Sequence, residues 1–233
     1  MSPLLEAQNV TKSYPGVIAL DGISFSARKG KVVGLLGPNG SGKTTFMRIA
    51  SGQSSPSSGR VLIEGEPPGC RTKSRVSYVP EHNHLYPWMS VEEMTRFFES
   101  LFPGFNRQRV EKLMDLMQLK RKARIKTLSR GTYSRLKLVL GLCWGADLLL
   151  LDEPLSGIDP ASRDKILEGI LKGCSEQGLT IMISTHLVGE VEPLLDQAVF
   201  LEEGRLKLQG DCDDLRKQYG LSLDQMLRRE VVV

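Results

Sequence analysis

Apolar residues fall along this chain in three patterns. Lys31-Val32-Val33-Gly34-Leu35-Leu36, Asp147-Leu148-Leu149-Leu150-Leu151 and Leu179-Thr180-Ile181-Met182-Ile183-Ser184 are almost unbroken runs of strand length. Such runs predict strands buried on both faces, in a parallel sheet that helices cover. The first run leads into a Gly-rich loop, Gly37 to Gly42, and then into Lys43 to Ala50, which has helical composition until Gly52 stops it. Between the second and third runs, Ile166, Leu167, Ile170 and Leu171 recur at helical spacing within Pro160 to Cys174, with Pro160 suited to the first turn. The unit reads as a β-α-β crossover.

From Trp88 to Gly145 the pattern changes. Val91 to Leu101, Asn106 to Leu119 and Gly131 to Trp144 read as three helices with no convincing strand between them. On the last, Leu136, Val139, Leu140 and Cys143 stand at i, i+3, i+4 and i+7, a stripe that buries one face. In the third pattern, Leu4 to Val10, Ile18 to Ala27, Arg60 to Glu64 and Ala198 to Gln209 alternate, which predicts an antiparallel layer beside the main sheet. The expected class is α/β, with a largely parallel sheet, an antiparallel β layer and an inserted α-helical subdomain. The whole is read as one domain, 1–233, with its core in 1–87 and 146–233 and the helical subdomain in 88–145.

Composition narrows the function classes. Apolar residues are 40% and charged residues 25% of 233, which excludes disorder as the main state. The longest aliphatic stretches are far shorter than the roughly 20 residues of a spanning helix, and Met1 to Glu6 lacks the pattern of a signal peptide. A cytosolic chain is expected. Cys70, Cys143, Cys174 and Cys212 form no C-x-x-C pair and read as reduced thiols. A net charge of +4 is compatible with a nucleic-acid or membrane-surface partner without deciding for either.

The strongest chemical signal is Gly37-Pro38-Asn39-Gly40-Ser41-Gly42-Lys43-Thr44-Thr45, which fits G-x-x-x-x-G-K-[ST] between a strand and a helix. Glycines let successive backbone N–H groups turn towards a phosphate, and the helix N-terminus adds positive potential. Lys43 can reach the β- and γ-phosphates, and the Thr44 hydroxyl can ligate Mg²⁺. Asp152-Glu153 lies 109 residues after Lys43, at the carboxyl end of a buried strand, where open α/β sheets bind ligands. Asp152 suits Mg²⁺, directly or through water, and Glu153 is the candidate to polarise an attacking water.

With these residues in place the chain resembles the nucleotide-binding subunit of an ABC transporter over nearly all of its length, in wording closest to an exporter-type branch. The P-loop corresponds to the family's Walker A segment, and Asp152-Glu153 ends its Walker B. Tyr14 resembles the aromatic that stacks on adenine, Ser156-Gly157-Ile158-Asp159 the D-loop, and Ser184-Thr185-His186 the switch whose histidine contacts the γ-phosphate. Tyr78-Val79-Pro80-Glu81 stands where the Q-loop belongs, with Glu81 in place of glutamine and able to keep a metal-ligand role. Leu128-Ser129-Arg130-Gly131-Thr132 replaces the signature Leu-Ser-Gly-Gly-Gln. Ser129 and Gly131 keep the two phosphate-facing positions, Arg130 either lies along the nucleotide with charge-assisted contacts or, the favoured reading, points to solvent or a ribose edge, and the shorter Thr132 implies a weaker closed dimer.

The resemblance implies a P-loop NTPase core that binds ATP and Mg²⁺ and hydrolyses ATP to drive transport. Catalysis is expected of Glu153 and His186. Nucleotide contacts are expected of Tyr14, Gly37, Asn39, Gly40, Ser41, Gly42, Lys43, Thr44, Thr45, Ser129, Gly131 and Asp159, and metal contacts of Thr44, Glu81 and Asp152. It further implies a permease on a separate chain and a second ATP-binding subunit, identical or related. No nucleic acid is expected, and the chain would sit on the cytoplasmic face of the membrane. Two other classes stay open: a soluble ATPase acting on DNA or the ribosome, and a regulatory module that binds ATP without useful turnover. Lys120 to Lys126 reads as a solvated face, and His82 and His84 as a surface loop, not a zinc site. Trp88, Phe97, Phe98, Phe102 and Phe105 read as packing of the helical subdomain, some of them bordering a groove for a short helix of the membrane partner.

Overall fold

The computed structural model describes residues 3–229. In chain order the elements are β1 (Leu5–Tyr14), β2 (Val17–Ala27), β3 (Val32–Leu36), α1 (Lys43–Ala50), β4 (Ser58–Ile63), β5 (Val76–Val79), α2 (Val91–Leu101), α3 (Arg107–Leu116) and α4 (Arg130–Cys143). Then follow β6 (Leu148–Asp152), α5 (Pro160–Gln177), β7 (Thr180–Thr185), α6 (Val188–Val191), β8 (Gln197–Glu202), β9 (Arg205–Asp211), α7 (Cys212–Tyr219) and α8 (Leu223–Arg228).

The main sheet has six strands in the order β5-β6-β7-β3-β8-β9. It is parallel from β5 through β8, and β9 closes one edge antiparallel to β8. A second, three-stranded antiparallel sheet runs β2-β1-β4. The apolar runs follow from this layering, because β6 is buried along its whole length but alternates between two cores. Leu148 and Leu150 pack with α1 and the small sheet, while Leu149 and Leu151 pack on the helical side with α4 and α5. Val33 and Leu35 against Val32 and Leu36, and Met182 against Ile181 and Ile183, divide in the same way. A period of two persists, therefore, even where every position is apolar.

Local chemistry sets the helix boundaries. Asp159 caps α5 by accepting from Ser162 N at 2.9 Å, with Pro160 in the first turn and Gly178 left-handed at the end. Ser90 and Glu93 form a reciprocal capping box on α2. One sequence expectation needs correction. Ala198 to Gln209 does not join the antiparallel layer, because β8 hydrogen-bonds in parallel to β3 and carries β9 with it into the main sheet. Its alternation is real, but β9 is an edge strand with one wet face, and alternation alone does not say which sheet an edge belongs to. The short strand β5 and the helices α6 to α8 also lay outside the elements read from the pattern.

Candidate active site

Three parallel strands end side by side, and their carboxyl termini assemble the site. After β3 the loop from Gly37 to Gly42 turns into α1. Its shape depends on the absence of side chains, since a Cβ on Gly37 would lie 2.0 Å from the Leu201 carbonyl, and one on Gly42 (φ +100°) 2.4 Å from the Ala19 carbonyl. Lys43 opens α1 with only 5% of its surface exposed. Its Nζ donates to the carbonyls of Gly37 (2.8 Å) and Pro38 (2.9 Å) and stands 3.4 Å from Glu153 Oε1. Burial pulls the Lys43 pKa down, while the Glu153 carboxylate pulls it back up.

At the end of β6, Asp152 is fixed by three hydroxyls. Thr44 Oγ1 reaches its Oδ1 at 3.1 Å, Ser184 Oγ donates to the same oxygen, and Tyr78 OH donates to Oδ2 at 3.0 Å. Burial, and then the charge of Asp152, drive the Tyr78 pKa well up, so its hydroxyl stays a donor. Glu153 follows in a left-handed conformation (φ +46°), a geometry that costs on the order of 1–3 kcal/mol outside glycine. The turn is pinned by Glu153 N donating to Ser184 O at 3.0 Å. It directs a carboxylate that is only 8% exposed back over the loop. Glu153 Oε2 accepts from Thr185 Oγ1 at 3.1 Å and faces His186 Nδ1 at 3.0 Å, and Leu187 N donates to Thr185 Oγ1 at 2.9 Å. Glu153 Oε1 has no hydrogen bond beyond the longer ion pair with Lys43.

Gly37, Ser41, Lys43, Thr44, Asp152, Glu153 and His186 thus come together. Thr45 lies in the first turn of α1, and Asn39 and Gly40 form the exposed tip of the loop. The residues fit a phosphate and a divalent cation. Ser41 Oγ is buried without a partner inside a glycine cradle, and the hydroxyl of Thr44 meets the carboxylate of Asp152, an oxygen pair that suits Mg²⁺. Among the described residues no three His, Cys, Asp or Glu side chains converge.

The remaining expected residues lie apart. Tyr14 ends β1, 44% exposed, with Lys12 Nζ 5.2 Å from its ring centre. Ser129 caps α4, accepting from Thr132 N at 3.3 Å and sharing a 2.9 Å contact with the Thr132 hydroxyl. A Cβ on Gly131 would meet Ser162 Oγ at 2.3 Å and Asp159 Oδ2 at 2.6 Å, so the signature segment packs on its own D-loop. Arg130 is exposed, with its guanidinium over Gly157. Glu81 is exposed across a crevice of about 740 Å³ that Thr44, Asp152, Arg130 and Ser156 also line. In the basic run Arg121 pairs with Glu111 and Asp115, and Arg124 with Glu93, so part of that face is internally neutralised.

Two residues that sequence reasoning passed over tie the 80–85 loop to α4. Lys137 Nζ donates to the carbonyls of Pro80 (2.6 Å) and Glu81 (2.8 Å), and the Tyr133 hydroxyl accepts from His84 N (2.9 Å) and Leu85 N (2.8 Å). Burial lowers the Lys137 pKa to about 8. The available signal was a lysine set between Leu136 and Leu138 in an otherwise apolar helix.

Residues 20–156 match the ABC transporter family. The chain is 36% identical over 222 residues to the Nod factor export ATP-binding protein I of Ralstonia nicotianae, covering 92% of this chain and 69% of that protein. It is 34% identical over 225 residues to the linearmycin resistance ATP-binding protein LnrL of Bacillus subtilis, covering 93% and 72%. The solved structure of the ATP-binding subunit of an ABC transporter superposes with a TM-score of 0.86 at 28% identity, covering 99% of this chain and 100% of that one. A dimeric ATP-binding cassette in a post-hydrolysis state, bound to ADP and Pi, shares the fold with a TM-score of 0.80 at 21% identity, covering 89% of this chain and 98% of that one. The family match, these identities and the shared fold show that the chain belongs to the ABC transporter family as one of its ATP-binding, ATP-hydrolysing subunits.

Proposed function

We propose that this chain hydrolyses ATP to drive export through a separate membrane-spanning partner, with Glu153 as the residue that activates water. The carrying observation is the state of its two oxygens. Oε2 is occupied by Thr185 and His186, whereas Oε1 is buried, free of hydrogen bonds and turned towards the phosphate-binding loop. Oε1 is therefore the atom that accepts a proton from water. Lys43 offsets charge on the transferring phosphoryl group, and Ser41 with the loop amides holds the phosphates. His186 turns Nδ1 to Glu153, so donation from its other nitrogen to the γ-phosphate requires the doubly protonated ring. Thr44, Asp152 and Glu81 would hold Mg²⁺, which would supply positive charge to the phosphate oxygens.

Two subunits close head to tail in this reading, with ATP between the P-loop of one and Ser129 to Gly131 of the other. Tyr14 stacks on adenine, and Asp159 supports the closed interface. Residues 88–145 act as the helical subdomain within a single domain. The partner is an integral membrane permease on a separate chain, with this chain on its cytoplasmic face; no helix among the described residues is long and apolar enough to cross a membrane. A groove of about 320 Å³ walled by Met94, Phe97, Phe98, Leu140 and Trp144 would receive its short helix. The export direction rests on the name of the Nod factor export relative.

The test is steady-state hydrolysis of Mg-ATP by the purified chain, across protein concentration, against Glu153→Gln. Turnover should rise faster than linearly with concentration and fall by about 10²- to 10⁴-fold in the variant, which still binds ATP. Unchanged turnover would remove Glu153 from this role. ATP binding without turnover in the parent chain would favour the regulatory reading that the altered signature also permits.

A further inference from the structure

α4 presents Tyr133 and Lys137, one turn apart, to the segment that follows β5. Lys137 is 6% exposed. Burying an ammonium normally requires a carboxylate partner, yet among the described residues it makes no ion pair within 4 Å. Its hydrogen bonds go to the main-chain carbonyls of Pro80 and Glu81, and its charge sits 5.8 Å from the Tyr133 ring centre. Tyr133 takes the main-chain amides three and four residues further on. Two side chains thus satisfy four backbone groups, two carbonyls and two amides, of a loop that has no regular structure to satisfy them. An alanine or leucine at 137 would continue the apolar helix at less cost, so the lysine's presence calls for a role in holding that loop.

We propose that Lys137 and Tyr133 are positioning residues, a clamp that fixes the backbone of 80–85 and thereby sets where the Glu81 carboxylate meets the metal-nucleotide complex. The Glu81 side chain is exposed and, among the described residues, makes no side-chain hydrogen bond or ion pair within 4 Å, so its placement at the crevice depends on its main chain. Its carbonyl is held by the same helix that begins at Ser129 and Arg130. The loop residues His82 and Leu85 border both the crevice and the apolar groove. The inference rests on the reading of Glu81 as a metal ligand given above.

The experiment uses Mn²⁺ as the metal probe, with binding read by electron paramagnetic resonance on the full chain holding a non-hydrolysable ATP analogue. Nucleotide affinity without metal is measured alongside. Lys137→Met keeps the aliphatic stem and removes the donors, and Tyr133→Phe removes only the acceptor. Both should raise the Mn²⁺ half-saturation concentration about tenfold, as loss of groups that orient a ligand does, while metal-free nucleotide affinity stays as in the parent. Hydrogen exchange at the His84 and Leu85 amides should quicken in Tyr133→Phe. Adding Lys137→Met to Glu81→Ala should shift the metal no further than Glu81→Ala alone. Equal shifts in both backgrounds, or no shift in a folded Lys137 or Tyr133 variant, would overturn the clamp while leaving Glu81 a ligand. No shift in Glu81→Ala would overturn the ligand reading and the clamp with it. Should Lys137→Met fail to fold, Tyr133→Phe carries the same comparison.

Discussion

The strand-end site and the start of α4 are built in opposite ways. At the strand ends, Asp152 and Glu153 are buried and each is held by several hydroxyl or ring donors, so the carboxylates are oriented before any ligand arrives. At the start of α4, Ser129 and Arg130 are exposed, and the Ser129 hydroxyl is occupied only by its own helix turn. The first end owes its geometry to the sheet and loses little entropy on binding. The second is a helix start whose exposed Ser129 and Arg130 meet only the helix's own first turn and Gly157 among the described residues, which suits a surface completed by another subunit. Preorganisation thus follows burial.

Three substitutions would break or sharpen this contrast. Lys43→Ala strikes the buried end hardest, because it removes a charge and leaves the carbonyls of Gly37 and Pro38 and the Glu153 carboxylate without their cation. The loss of about 2 kcal/mol expected for a charged hydrogen-bond partner corresponds to about a thirtyfold weaker Kd for ATP in a fluorescence titration. Full retention of affinity would show that the loop amides alone do the holding.

Thr185→Val is nearly isosteric and removes one donor to Glu153 Oε2 and one acceptor for Leu187 N. Turnover should drop about tenfold with ATP affinity unchanged, and thermal unfolding should report a destabilisation of about 1–3 kcal/mol from the buried orphans. A fall in affinity and not in turnover would place Thr185 with substrate binding. The smallest effect is expected at the exposed end. Arg130→Gly with Thr132→Gln should leave monomer stability within about 0.5 kcal/mol and strengthen ATP-dependent dimerisation severalfold in analytical ultracentrifugation. Weaker dimerisation would mean that Arg130, now seen over Gly157, has a positive role in closing the pair.

Arg130 also shows where sequence reasoning reached its limit. Whether it lay along the nucleotide or turned to solvent or a ribose edge was not legible in the signature. The structure exposes it, but lays its guanidinium on the D-loop of its own chain, a contact set by the packing of Gly131 against Asp159 and Ser162. The Ala198 to Gln209 segment failed for a related reason. Its alternation described one wet face correctly, while the choice of neighbour depended on β3, some 160 residues earlier.

By itself the sequence determined the elements whose signals are local. The apolar runs at 32–36, 148–151 and 180–183 specify buried strands, Gly37 to Thr45 specifies a phosphate loop, and Ser90, Asp159 and Pro160 specify helix starts. These rest on backbone sterics, hydrogen bonding and burial within a few residues. Only the tertiary structure decided which groups meet across the chain: Tyr78 with Asp152, Thr185 with Glu153, and Lys137 with the carbonyls of Pro80 and Glu81. Each joins residues 32 to 74 positions apart. Their partners are chosen by which strand ends lie side by side and which helix covers them, an order that no local spacing encodes.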